Sequence, residues 1–183
     1  MGLPHNIILV GFMGSGKTAT GKELASLLKF HFWDMDKWIE KRNGKDVAKI
    51  FGEKGEKYFR SEEKKALAWF GSKTHYVVST GGGVWINPEN RQQLLKKGWC
   101  VWLKVTPEQS LKRIGKNLDK RPLLAKNTTP LSVIEKMMEE RNPFYSLAHN
   151  SFDTDEKKPK KIAFEIKDYF EEEQPFDLFP MQK

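Results

Sequence analysis

With 183 residues, a single cysteine and a net charge of +8, the chain is sized for one α/β unit that buries roughly 70% of its unfolded surface without a disulfide or structural metal. The lone Cys100 has no intrachain partner, which fits a reducing cytoplasm, and no run nears the roughly 18 apolar residues of a membrane span or follows a basic leader, so neither membrane nor secretory signal is expected. The excess of 32 Lys+Arg over 24 Asp+Glu suits small polyanions, but the lysines sit beside glutamates (Glu53-Lys54, Glu56-Lys57, Glu62-Glu63-Lys64-Lys65), as on solvated faces rather than a nucleic-acid groove.

A first apolar run predicts a strand at Asn6–Val10. Gly11-Phe12-Met13-Gly14-Ser15-Gly16-Lys17-Thr18 follows, then a helical pattern over Lys17–Leu28. The octet reads G-x-x-x-x-G-K-[ST], and its setting between strand and helix is that of a phosphate-binding loop. Glycines let consecutive N–H groups turn around a polyphosphate, and the helix N-terminus adds partial positive charge. Lys17 then reaches the β/γ-phosphates, and the Thr18 hydroxyl ligates Mg²⁺.

The second strand is expected at His31–Trp33, ahead of Asp34-Met35-Asp36. Ligands gather at the carboxyl ends of parallel strands. If the backbone stays extended, the two carboxylates diverge, one toward a metal and one toward an acceptor alcohol; a pair capping the next helix is the plainer alternative. Next, Arg60 and Glu63 stand three apart on a helical stretch, so the carboxylate can fix the guanidinium as a carboxylate clamp; a surface ion pair is the alternative. A strand at Tyr76–Ser79 leads into Thr80-Gly81-Gly82-Gly83, where backbone can approach a ligand closely, or simply turn.

Asn87-Pro88, Thr106-Pro107 and Thr129-Pro130 each set a capping residue before a proline suited to a first helical turn, and Gly98 reads as a helix stop. Strands are expected at Cys100–Val105, with Cys100 as a core residue, and at Ser151–Asp153. Five strands alternating with helices imply a parallel sheet. Gly115–Asn127, basic and then apolar, reads as a flap over a nucleotide and carries Arg121; Arg141 stands near a helix end; Lys157–Lys161 reads as a charged loop into the last helix. The tail Glu171–Lys183 receives no role.

In this order and spacing, GxxxxGKT, DxD, GExxFRxxE, GGG, RPLL and ERxPxYxxxA closely resemble the shikimate kinase family over about residues 6 to 155. The resemblance implies a P-loop three-layer α/β/α fold with a five-stranded parallel sheet in order 2-3-1-4-5, a mobile lid at about 115–127 and substrate-binding helices at about 34–65. It implies transfer of the ATP γ-phosphoryl group to the 3-hydroxyl of shikimate with Mg²⁺, in the route to aromatic amino acids. By it, Gly14, Ser15, Gly16, Lys17 and Thr18 hold ATP, with Lys17 on the γ-phosphate. Thr18 binds the metal directly and Asp34 through water. Asp36 receives or orients the hydroxyl, and Arg60 and Arg141 grip the shikimate carboxylate. Gly81, Gly82 and Gly83 line its ring, Arg121 closes on the transferring phosphoryl group, and Arg113 stacks on adenine.

Two positions depart from the family pattern: Ala19, where a threonine is common, and Met35, where a small residue is usual. Weaker nucleotide affinity is the expectation from Ala19. The rival readings are another small-alcohol kinase, such as a gluconate kinase, and a nucleotide-binding regulator without turnover. A monomer is expected, since no long apolar surface stripe is evident.

Overall fold

The computed structural model describes residues 6–115 and 129–173. The five residues of β1 (Asn6–Val10) are all buried, so this strand lies at the middle of a sheet covered on both faces. It continues into α1 (Lys17–Leu28), β2 (His31–Asp34), α2 (Met35–Asn43), α3 (Val47–Phe70), β3 (Tyr76–Ser79) and α4 (Pro88–Leu95). Then follow β4 (Trp99–Lys104), α5 (Pro107–Ile114), α6 (Pro130–Tyr145), β5 (Asn150–Asp153) and α7 (Pro159–Glu173). The strands form one parallel sheet in the order β2-β3-β1-β4-β5, as the resemblance implied.

Alternation along β1 divides the core. Ile7 and Leu9 face the layer formed by α1 and α7, packing with Leu24, Ile162, Ile166 and Phe170. Ile8 and Val10 face the opposite layer, with Met35, Ile39, Phe59, Val78, Trp85 and Tyr145. Cys100 is fully buried in β4, as expected of a core residue. Crossovers run first to β2 and β3 and then to β4 and β5, so the strand order reverses around β1 and a crevice opens at its carboxyl end.

Several local expectations are corrected. Each of the last two strands begins one residue early, β4 at Trp99 and β5 at Asn150, and β4 ends at Lys104. Gly98 is not the helix stop: α4 closes on Lys96 in right-handed geometry, and Gly98 is required because any Cβ would collide with the Asn6 carbonyl of β1. Asn87 and Thr106 cap α4 and α5 through their side chains, whereas Thr129 makes no such cap bond and its Oγ1 instead accepts from the Ser132 hydroxyl. The last helix absorbs the first three residues of the expected tail. The flap beyond Gly115, with Arg121, lies outside the described residues, as does the tail beyond Glu173.

Candidate active site

The loop after β1 is shaped by steric demand. Gly14 adopts φ 76°, and a Cβ there would come within 2.9 Å of the Ser110 carbonyl in α5. Ser110 Oγ donates to the Met13 carbonyl at 2.9 Å, so α5 holds the outer rim of the loop. The Lys17 ammonium donates to the carbonyls of Gly11 and Phe12 at 2.8 and 2.7 Å and to Ser15 Oγ at 3.4 Å, placing the cation inside the loop's curve. Gly16 opens α1 in left-handed geometry, so the helix's first N–H groups face the same hollow.

At the end of β2 the two aspartates do diverge, but by a different route from the extended one expected. Asp34 is the last extended residue and Met35 already begins α2. The Asp34 carboxylate does two jobs: one oxygen caps α2 by accepting from the Lys37 N–H at 3.0 Å, and the other accepts from the Thr18 hydroxyl at 2.7 Å. Thr18 Oγ1 is also 3.2 Å from Ser79 Oγ at the end of β3. Asp36, in the first turn of α2, points to the loop after β3, where its Oδ1 lies 2.7 Å from the position a Gly81 Cβ would take.

These residues line one cavity of about 510 Å³, which Met13, Gly14, Gly16, Lys17, Thr18, Asp34, Asp36 and Gly82 share with Ala19, Ser79, Thr80, Arg113, Lys157 and Pro159. Arg113 reaches it from the last turn of α5, donating to the Gly14 carbonyl at 3.2 Å, to Thr154 Oγ1 at 2.9 Å and to the Thr154 carbonyl. Thr154, just after β5, in turn donates to the Lys104 carbonyl of β4 at 2.7 Å.

A second half adjoins Asp36 and Gly82. Arg60 donates to Glu63 Oε2 and to Glu56 Oε1, each at 2.8 Å, and its guanidinium fills the space beside Gly83, within 2.5 Å of where a Cβ would stand. Burial opposes the Arg60 charge, but the Glu63 and Glu56 carboxylates outweigh it and raise its pKa. Glu63 is fully buried, and its own pKa is pushed up to about 7: burial dominates, Arg60 offsets it in part, and nearby Asp36 and Glu56 add to it. Arg141, near the end of α6, lies 5.8 Å from the centre of the Phe12 ring, and Tyr145 Oη, one turn on, donates to the Gly82 carbonyl at 2.5 Å.

Of the residues singled out in the sequence, the phosphate loop, Asp34, Asp36, Gly82 and Arg113 thus line one cavity, while Arg60 stands beside Gly83 and Arg141 beside Phe12. Ser79, Lys157 and Pro159 line that cavity as well and were not singled out as site residues, nor were Thr154 and Tyr145, which bond to its lining residues Arg113 and Gly82. Among the described residues no three His, Cys, Asp or Glu side chains cluster as a protein-built metal cage. The hydroxyl and carboxylate of Thr18 and Asp34 are hard oxygen donors of the kind Mg²⁺ takes when phosphate and water complete its shell.

Known proteins resemble this chain in sequence and in fold. The family model described as shikimate kinase matches residues 13–171. The shikimate kinase of Caldanaerobacter subterraneus subsp. tengcongensis is 45% identical over 88% of this chain and 93% of its own, and that of Persephonella marina is 44% identical over 88% and 96%. The structure of the Acinetobacter baumannii shikimate kinase in complex with shikimate superposes with TM-score 0.88 at 33% identity, covering 93% of this chain and 95% of that one. A gluconokinase from Sinorhizobium meliloti reaches TM-score 0.59 at 16% identity, a likeness of fold alone. Matched along nearly its whole described length, in sequence as in architecture, the chain belongs to the shikimate kinase family.

Proposed function

We propose that the protein transfers the γ-phosphoryl group of ATP to the 3-hydroxyl of shikimate, giving shikimate 3-phosphate and ADP on the route to chorismate and the aromatic amino acids. The observation that carries this is the position of Asp36. It lines the phosphate-loop cavity and also lies against Gly81, on the side of the Arg60 clamp, so one carboxylate faces both reactants. Phosphoryl transfer asks the protein for alignment and charge compensation more than covalent chemistry. Gly14, Ser15, Gly16, Lys17 and Thr18 take the triphosphate, with Lys17 compensating charge on the γ-phosphate. Arg60 and Arg141 take the acceptor's carboxylate as charge-assisted contacts, and the glycine wall receives its ring. Asp36 accepts the proton of the attacking hydroxyl.

Thr18, and Asp34 through water, hold Mg²⁺, which when bound spreads the negative charge of the triphosphate. Arg113 lines the same cavity and receives the adenine. Arg121, outside the described residues, is assigned to the transferring phosphoryl group. The same reading makes residues 1–183 a single kinase domain acting as a cytoplasmic monomer, with a small-molecule substrate and with neither nucleic acid nor membrane as partner. Among the described residues no helix is long and apolar enough to cross a membrane.

An ADP-release assay offering shikimate, gluconate and nucleoside monophosphates in parallel tests the reading. Turnover with shikimate and Mg²⁺ alone is the expected result. Preference for gluconate would replace the substrate, and binding of ATP with no turnover on any acceptor would make the protein a nucleotide-binding regulator.

A further inference from the structure

Among the described residues, the side-chain charges around the nucleotide cavity cancel. Its lining holds three cations, Lys17, Arg113 and Lys157, against two carboxylates, Asp34 and Asp36, and Lys157 is already paired with Glu165 at 2.7 Å. A ligand with several negative charges gains no long-range pull from such a wall.

A second hollow, of about 590 Å³, shares Thr18, Ala19 and Pro159 with the cavity, so the two are continuous. Ala19 is the smallest side chain at that junction. The hollow's other walls carry Lys22 and Glu23 of α1, and Lys158 and Lys160 around the start of α7. All three lysines are exposed, and none makes an ion pair among the described residues. Three ammonium groups against the one carboxylate of Glu23 leave the hollow positive while the cavity behind it is balanced. Ammonium groups on flexible four-carbon stems act as point charges, and charges of one sign lining a concavity focus their field into it and raise the rate at which a polyanion arrives.

We infer that Lys22, Lys158 and Lys160 form an electrostatic approach to the nucleotide cavity, drawing the polyphosphate in past Ala19 between α1 and α7 and so setting the rate of nucleotide capture. The inference rests on the ATP reading above and adds to it a set of residues that act at a distance. They speed association and leave the bound complex to the phosphate loop.

Stopped-flow mixing with a fluorescent ATP analogue in a Mg²⁺ buffer tests this. In the triple variant Lys22→Gln, Lys158→Gln, Lys160→Gln, association should slow about tenfold at an ionic strength of about 0.01 M, with dissociation within about twofold of the parent. At about 1 M, where the Debye length shrinks to about 3 Å, the two association rates should converge to within about twofold. A second triple variant, Lys41→Gln, Lys96→Gln, Lys136→Gln, removes as many charges from exposed positions on α2, after α4 and on α6, none of which lines the hollow or the cavity. Its association rate should stay within about twofold of the parent at both ionic strengths. An unchanged association rate in the first variant, a loss carried by dissociation, slowing that persists at 1 M, or equal slowing in the second variant would each overturn the inference. A parent that does not bind ATP removes the nucleotide reading and this inference with it, whereas a parent that binds ATP at a rate indifferent to the three lysines removes the inference alone.

Discussion

Glu63 sits without solvent access between the Arg60 guanidinium and Asp36, with Glu56 also facing the pair, and burial raises its pKa from 4.5 to about 7. A carboxyl with a raised folded-state pKa keeps a proton that the unfolded chain has already released. Its contribution to stability is therefore full below pH 4.5, declines as pH rises to about 7, and is level above that. The decline amounts to about 3 kcal/mol. Glu63→Gln removes this titration, so urea unfolding of parent and variant at pH 5, 6, 7 and 8 should show the difference moving against the parent up to about pH 7; parallel curves would contradict the placement of Glu63. Its neighbour Asp36 has a different duty. Asp36→Asn should lower turnover at least about a hundredfold, the usual worth of a positioned base, while the ATP dissociation constant stays within about twofold. Equal turnover in variant and parent would remove Asp36 from the reaction.

At the scale of elements, legibility in the sequence followed sequence distance. Arg60 and Glu63 could be paired in advance because three residues along a helix place them on one face, and the phosphate loop could be read because all its functional groups lie within eight consecutive residues. Asp34 and Asp36 were legible as two diverging carboxylates, but not the start of α2 at Met35 that makes them diverge. What stayed hidden was whatever depends on elements meeting: Thr154 with Arg113 across 41 residues, Tyr145 with Gly82 across 63, and Gly98 with Asn6. The last carries a prediction. Gly98 was read as a helix stop, a role most small residues could share, whereas a backbone collision admits no side chain. Gly98→Ala should destabilise the fold by roughly 2 kcal/mol or more, since β1 or β4 must shift, with the KM values of the surviving folded protein unchanged. An unaltered denaturation midpoint would show that the close approach at Asn6 is not a constraint.

Over the whole molecule, the crevice draws on both layers of the sheet: Thr18 and Ala19 come from α1, Asp34 from β2, Asp36 from α2, Ser79 from β3, Arg113 from α5, and Pro159 and Ile162 from α7. None of α1, α2, α5 and α7 can leave without removing part of the cavity's lining, so binding there stabilises the global fold rather than one local segment. A ligand held only by the folded state at about 100 times its dissociation constant adds about 2.7 kcal/mol, worth about 5–10 °C in a chain of this size. ADP with Mg²⁺ should therefore raise the melting temperature by that amount in a single cooperative transition. Thr18 and Asp34 are already joined by a hydrogen bond of 2.7 Å, so under the proposed reading Mg²⁺ engages a preformed pair rather than assembling one. Chelation by EDTA should thus lower the ADP-dependent shift by several degrees while leaving the ligand-free melting temperature unchanged. A ligand-free protein that itself melts earlier in EDTA would mean that the metal holds the fold together, and a shift indifferent to EDTA would mean that Thr18 and Asp34 hold no metal with the nucleotide.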